Sequence, residues 1–493
     1  MNKKIKSLII GGILLLVLVG ALLLLLFLPK SEDNSNSSSE SSAVSTTAVK
    51  VYEGSTDDVR SIQVEGPKGD YTIRREGEDY TIDELEGLEQ LTNAYSGIAG
   101  QFASVTATRL IEENPSDIAK YGLKDPQAIV TVAYADQSKH EVRIGNALPT
   151  SEGYYAQVDS SDTVYALGKS KYDTIDKRML DFVSTQVIEP WTAPTDEDGN
   201  VTKEAPTIDY LEIEDGPFAD IGVFRIEPVV TAGEDGQYYA SGYKIVSPFE
   251  ADFRYRGDSE GADQNAVYTE RLADFSAEHV AAIHPSGEED YGFEEPFMII
   301  RFSRDGQGHT WTFGGEAKTI GGAAGHYLMA DDTPVVYVVA DVNNPWLSME
   351  INNLFSSLVL LPNVNDIEGI DISVGGKSYT IKASGIDSEL KATINGTELD
   401  TSIYRKFYQY LLSAPAEEYN HGSDRGELQA SITYHYADHS KPDDVVRFYD
   451  AGNRRSILSL NGQETFLCRS TYVDYLARNC EKVLAGENPV LDY

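Results

Sequence analysis

Residues 121–167 read YGLKDPQAIVTVAYADQSKHEVRIGNALPTSEGYYAQVDSSDTVYAL. Tyr121, Gly122 and Leu123 form a turn that runs into Pro126, and an apolar strand follows. An Asp-led turn at 135–137 leads to a second strand that ends at Ile144-Gly145. Tyr154-Tyr155 opens a third strand, and residues 164–167 form a fourth. Alternation of apolar and polar side chains with Gly, Pro and Asp between the runs is the signature of antiparallel strands.

The same string returns downstream, so it is a repeat unit. Tyr121-Gly-Leu-Lys-Asp-Pro126 is matched by Tyr291-Gly-Phe-Glu-Glu-Pro296. VTVAYADQ (130–137) matches IIRFSRDG (299–306) and SITYHYADH (431–439). YYAQVDSSDTVYAL (154–167) matches HYLMADDTPVVYVV (326–339) and, more loosely, SILSLNGQETFLCR (456–469). Upstream of each string lies a hairpin: IQVEGPKGDYTI (62–73) aligns without a gap to IDISVGGKSYTI (370–381). Leu211-Glu-Ile213 followed by Tyr243-Lys-Ile-Val246 is the weaker middle copy. A helix is expected after each hairpin, from Leu85, Leu88, Leu91 and Tyr95, from Arg271, Leu272, Phe275, Val280 and Ile283, and from Tyr404, Phe407, Tyr408, Leu411 and Leu412. Closing helices are expected at 172–183, 346–358 and 472–484.

The first thirty residues are a different material. Lys3, Lys4 and Lys6 precede residues 8–28, which carry no charge. About 20 apolar residues span a bilayer core as a helix. A cleavable signal peptide has a shorter core and a small-residue cleavage site, whereas Phe27, Leu28, Pro29 and Lys30 end this run. The expectation is an uncleaved single-pass anchor at 1–30, with the N-terminus cytoplasmic and the bulk of the chain extracytoplasmic. Residues 31–49 are Ser-rich and read as a disordered tether.

The fold class expected is therefore α+β: a transmembrane helix, then tandem modules of antiparallel β-sheet packed with helices. Module 1 covers 50–190, a linker 191–206, module 2 207–362 and a divergent module 3 364–486. Residues 1–30 hold four lysines and no acid, which leaves 36 basic against 79 acidic residues outside the anchor, a formal −43. Such a field repels nucleic acid, and no nucleic-acid partner is expected. Two cysteines, Cys468 and Cys480, do not make a disulfide scaffold. Whether they pair is left open, because spacing does not determine a Cα separation.

Strings that resemble chemical motifs have plainer readings. Gly257-Asp-Ser259-Glu-Gly261 fits G-x-S-x-G, but its flanks are polar rather than a buried strand and a helix, so an acidic loop is expected. Val374-Gly-Gly-Lys377-Ser378 lacks the first glycine of a phosphate loop, Asp371 standing there, and reads as a hairpin turn. His435 and His439 share a strand face with Asp438, Asp443 and Asp444 nearby, but the ~3.3 Å rise sets them about 13 Å apart. His279 and His284 are expected on or just after a helix. Asp196, Asp198 and Asn200 alternate like calcium ligands, with Val201 where an EF-hand needs glycine. Tyr154-Tyr155 and Tyr434-x-Tyr436 read as cross-strand pairs. No catalytic, cofactor-binding or metal residues are assigned, and no cofactor is expected.

The Tyr-Gly-Leu-x-x-Pro turn, the Ile-Gly strand ending and the Tyr-Tyr-Ala strand resemble the bacterial family called domain of unknown function 4340. The resemblance covers 62–188 well, 209–362 fairly and the region beyond 364 in part, where the Tyr-Gly-Leu turn is absent. It implies a membrane anchor and association with ABC-type transporters, whose permease and ATPase subunits are the expected partners. The function expected is thus a non-catalytic extracytoplasmic binding or scaffold protein. The alternatives are a surface hydrolase acting on envelope polymers and a cation- or cell-wall-binding module.

Overall fold

The computed structural model describes residues 47–491 except 230–241, 255–265, 288 and 332. The anchor at 1–30, most of the tether and the Ser259 loop lie outside the described residues. Among the described residues no helix is long and apolar enough to cross a membrane.

Three large antiparallel sheets follow one another. Across the first lie Asp79–Thr81, Tyr71–Glu76, Val59–Glu65, Ala128–Tyr134, Lys139–Ala147, Gly153–Val158, Thr163–Gly168 and Arg109–Glu113. The second runs Ala251–Asp252, Tyr243–Ser247, Phe224–Pro228, Ile208–Asp215, Met298–Arg304, Gln307–Lys318, Ala324–Ala330, Val335–Ala340 and His279–Ile283. The third runs Thr397–Leu399, Lys391–Ile394, Lys377–Ser384, Ile367–Val374, Leu428–Tyr436, Asp444–Asp450, Arg455–Leu460, Gln463–Arg469 and Glu418–Tyr419. The second and third orders are the same strand for strand, and the first lacks one edge strand. Even an irregularity repeats: pairing slips at Val59/Ser61, Ile208/Tyr210 and Ile367/Gly369, one extra residue in each copy. Alternation buries Ile62 and Val64 at 0% exposure, and the extra residue at the bulge brings Val59, three before Ile62, to the same face at 0%.

Where helices form, they follow the apolar stripe. Thr401–Leu412 is capped by the Asp400 carboxylate and buries Tyr404, Phe407, Tyr408 and Leu411. Thr471–Leu484 closes the third copy, as expected. Elsewhere the helix expectations are corrected. In the first copy Asp83–Leu85 is a single 3-10 turn and the helix is Thr92–Phe102. In the expected second-copy helix, among the described residues Ala266–Glu270 is α-helical, and Phe275–Ser276 and His279–Ile283 are strands. His279 therefore sits on an edge strand, not a helix. Val335–Ala340 is buried on both faces and takes this strand as its outer neighbour. The closing segments contain only Lys169–Ile175 with a 3-10 turn in copy one, and 3-10 turns Pro345–Ser348 and Ile351–Asn353 in copy two. Ser348, Asn352 and Asn353 disfavour a longer helix there, because short polar side chains compete for the backbone. In the middle hairpin the second strand is Phe224–Pro228, and Tyr243–Ser247 is the third.

Connecting segments stitch the copies together. Val49–Tyr52 pairs with Val105–Ala107 inside the first copy. Val183 bridges to Gln90 of the first copy, and Gln186–Ile188 pairs with Phe275–Ser276 of the second. Phe355 bridges back to Phe253, and Leu358 bridges forward to Pro415. The 191–206 segment is tied to the second copy: Trp191 and Lys203 both reach the Asp305 carboxylate. One apolar core runs through all three sheets. Cys468 and Cys480 are buried free thiols, and burial pushes both up to about 12.

Candidate functional site

The repeated motif is a turn laid on a strand. Gly122 and Gly292 have positive φ of 72° and 77°. The turns press onto Gly145 and Gly314, where a Cβ would meet the Tyr121 carbonyl oxygen at 2.2 Å and that of Tyr291 at 2.1 Å. Tyr121 then packs on Tyr155 at 4.8 Å and Tyr291 on Tyr327 at 5.0 Å. The Tyr, the Gly after it, the Ile-Gly ending and the tyrosine strand are thus one packing device. Tyr154 stacks instead on Tyr172, at 4.2 Å.

A second device recurs at the far end of the sheets. Asp159 accepts from the Glu141 amide and meets His140 Nδ1 at 2.6 Å. Asp331 accepts from the Thr310 amide and meets His309 Nδ1 at 3.0 Å. In the third copy Asn461 accepts from the Val445 amide and donates to Asp444. All three turn residues have φ near 50°. These His–Asp pairs occupy equivalent turns, so they pin hairpins.

The third copy departs from this plan on its solvent face. His435 lies between Asp443, 2.8 Å from Nδ1, and Asp371, 3.0 Å from Nε2. Asp371 also accepts from the Thr380 hydroxyl at 2.7 Å. Burial lowers the His435 pKa, but its two carboxylate partners outweigh that and hold the imidazole above its usual range. His439 is turned away, 3.7 Å from Glu368, so the two histidines are not brought together. No group of metal-ligating side chains occurs among the described residues.

Other singled-out residues are placed as follows. Asp196 accepts from the Asp198 and Asn200 amides, which closes the acidic loop on itself. Val374 and Lys377 are the last pair of a hairpin, and Lys377 reaches Glu481 at 2.7 Å. His284 is a positive-φ residue just after an edge strand. Tyr434 and Tyr436 are buried, and Tyr436 donates to Asp444.

The concave feature that sequence reading missed is a cleft of about 460 Å³ between the second and third sheets. Pro248, Phe249, Leu358 and Leu361 line one side, and Thr465 and Phe466 the other. Phe249 and Phe466 of its lining belong to an aromatic cluster behind it: Phe249 lies 5.2 Å from Tyr419, 5.3 Å from Phe466 and 5.6 Å from Phe355. Leu358 and Leu361 stay 38% and 37% exposed at its rim. The one sequence signal for it was the apolar run LVLLP at 358–362 in a joint that otherwise needs polar residues.

A family profile described as domain of unknown function (DUF4340) matches residues 81–195 and 261–425. No curated protein and no solved structure matches the chain.

Proposed function

The chain belongs to the DUF4340 family, and from that membership we propose a non-catalytic, extracytoplasmic binding or scaffold protein that serves an ABC-type transport system. The observation that carries this reading is the cleft between the second and third sheets, a concave, partly apolar surface lined from both. Such clefts at domain junctions are where partners and ligands dock. The residues that mark the family support it too, since they are spent on turns and strand contacts. The apolar run at 8–28 and the tether would hold the sheets near a permease in the same membrane.

The test is affinity capture of the full-length protein from crosslinked native membranes. Permease and ATPase subunits are expected in the eluate, and Leu358→Glu with Leu361→Glu should deplete them. An eluate free of transporter subunits removes the reading.

A further inference from the structure

The open face of the third sheet carries a depression of about 680 Å³ whose floor is Gly369. The three copies supply an internal comparison at this point. Gly369 pairs with His435, Ser61 pairs with Ala133, and Tyr210 pairs with Ser303, all one step past the shared bulge. In the second copy the position is occupied by the Tyr210 ring, with the Arg225 guanidinium 4.2 Å above it. The third copy has no side chain there.

Backbone geometry does not call for this glycine. Gly369 is not among the positive-φ residues, and a Cβ on it would meet His435 Cδ2 at 3.4 Å, an ordinary contact. Glycine inside a strand weakens it and often marks a place where a ligand comes close. Here it leaves room in front of a polar wall.

The wall has a defined chemistry. Lys382 pairs across to Thr393 and Ser384 to Lys391, so the two lysines are diagonal neighbours on one face. Both are exposed, and neither has an ion-pair partner among the described residues. They bring two positive charges to one face in a chain of net charge −39. The depression is of mixed charge: Glu368 and Asp371 line it too, and Glu398 stands opposite Thr393, but the nearer carboxylates have partners of their own. Asp371 and Asp443 are taken up by His435, and Glu368 faces His439. Hydroxyls of Thr380, Thr393 and Ser384 complete the lining.

We propose that this depression binds an acidic saccharide unit, its carboxylate or phosphate between Lys382 and Lys391 and its hydroxyls on Thr380, Thr393 and Ser384. The site is separate from the cleft, so its failure leaves the transport reading untouched. Saturation-transfer NMR on the full chain in detergent micelles tests it, with glucuronate, glucose 1-phosphate and glucose as probes. Transfer to glucuronate or to glucose 1-phosphate, and none to glucose, is expected, and which one responds identifies the anion. Lys382→Gln with Lys391→Gln should abolish the signal without lowering Tm, since both side chains are exposed. Gly369→Tyr should abolish it by restoring the ring that fills the second copy. Equal transfer to glucose, no transfer to either acidic sugar, or a signal that survives the lysine double variant would overturn the proposal.

Discussion

His435 shows how the third copy departs from the other two. At its register position the first copy has Ala133 and the second Ser303, side chains that do not titrate. The His435 pKa is raised, so its stabilising charge is fully present below the unfolded value of about 6.5 and fades as pH climbs through the folded value. Asp371 is held low by Thr380, against an opposing effect of burial, and by His435, so its contribution fades only on strong acidification. The Tm difference between wild type and His435→Gln should therefore be widest between about pH 4 and about pH 6.5 and shrink at alkaline pH. A thermal-melt series across that range checks it, and a pH-independent difference would refute it. Sequence reading set His435 about 13 Å from His439 and noted Asp443 nearby, but Asp371 was out of its reach. The true partners come from residue 371, on the neighbouring strand, and from Asp443, across the hairpin turn.

Strands were more legible than helices, for a physical reason. Period-two alternation is local and survives in every copy, whereas a three-four spacing also arises when a short helix is followed by two strands. Leu272, Phe275, Val280 and Ile283 are such a case, and the half-buried edge strand His279–Ile283 shows no clean alternation to correct it. The turn-on-strand contact was visible as a motif, but its cause, a carbonyl pressed on a bare Cα, was not. Gly145→Ala should cost about 1–3 kcal/mol, since the displaced atom is backbone. Gly97→Ala, in Thr92–Phe102 with nothing within 4 Å of the added carbon, should gain about 0.5–1 kcal/mol. Denaturant melts of the two variants, in opposite directions, test the contrast.

Over the whole molecule, tandem repetition could be read from the sequence, while the junctions could not. Phe249, Phe355, Tyr419 and Phe466 come from distant segments, and no local pattern announces that they meet. The floor of the saccharide site is hidden in the same way, because residues 369, 382, 391 and 435 converge only through strand register. Phe249 is 8% exposed, and Phe249→Ala should cost about 3–5 kcal/mol. Hydrogen exchange should then quicken in Tyr243–Ser247 and Gln463–Arg469 together while the first sheet keeps its protection. Faster exchange in the second sheet alone would mean that the junction does not couple the two.

The stitched connections have a mechanical meaning. Residues 182–188 and 354–358 are each hydrogen-bonded backward to one copy and forward to the next. Tension drawn along the chain from the N-terminal side thus crosses each junction through backbone bonds on both flanks as well as through the covalent thread. Val49–Tyr52, whose ladder with Val105–Ala107 lies within the first copy, is the first described strand that such tension reaches, so its load is borne by hydrogen bonds inside one copy before any junction feels it.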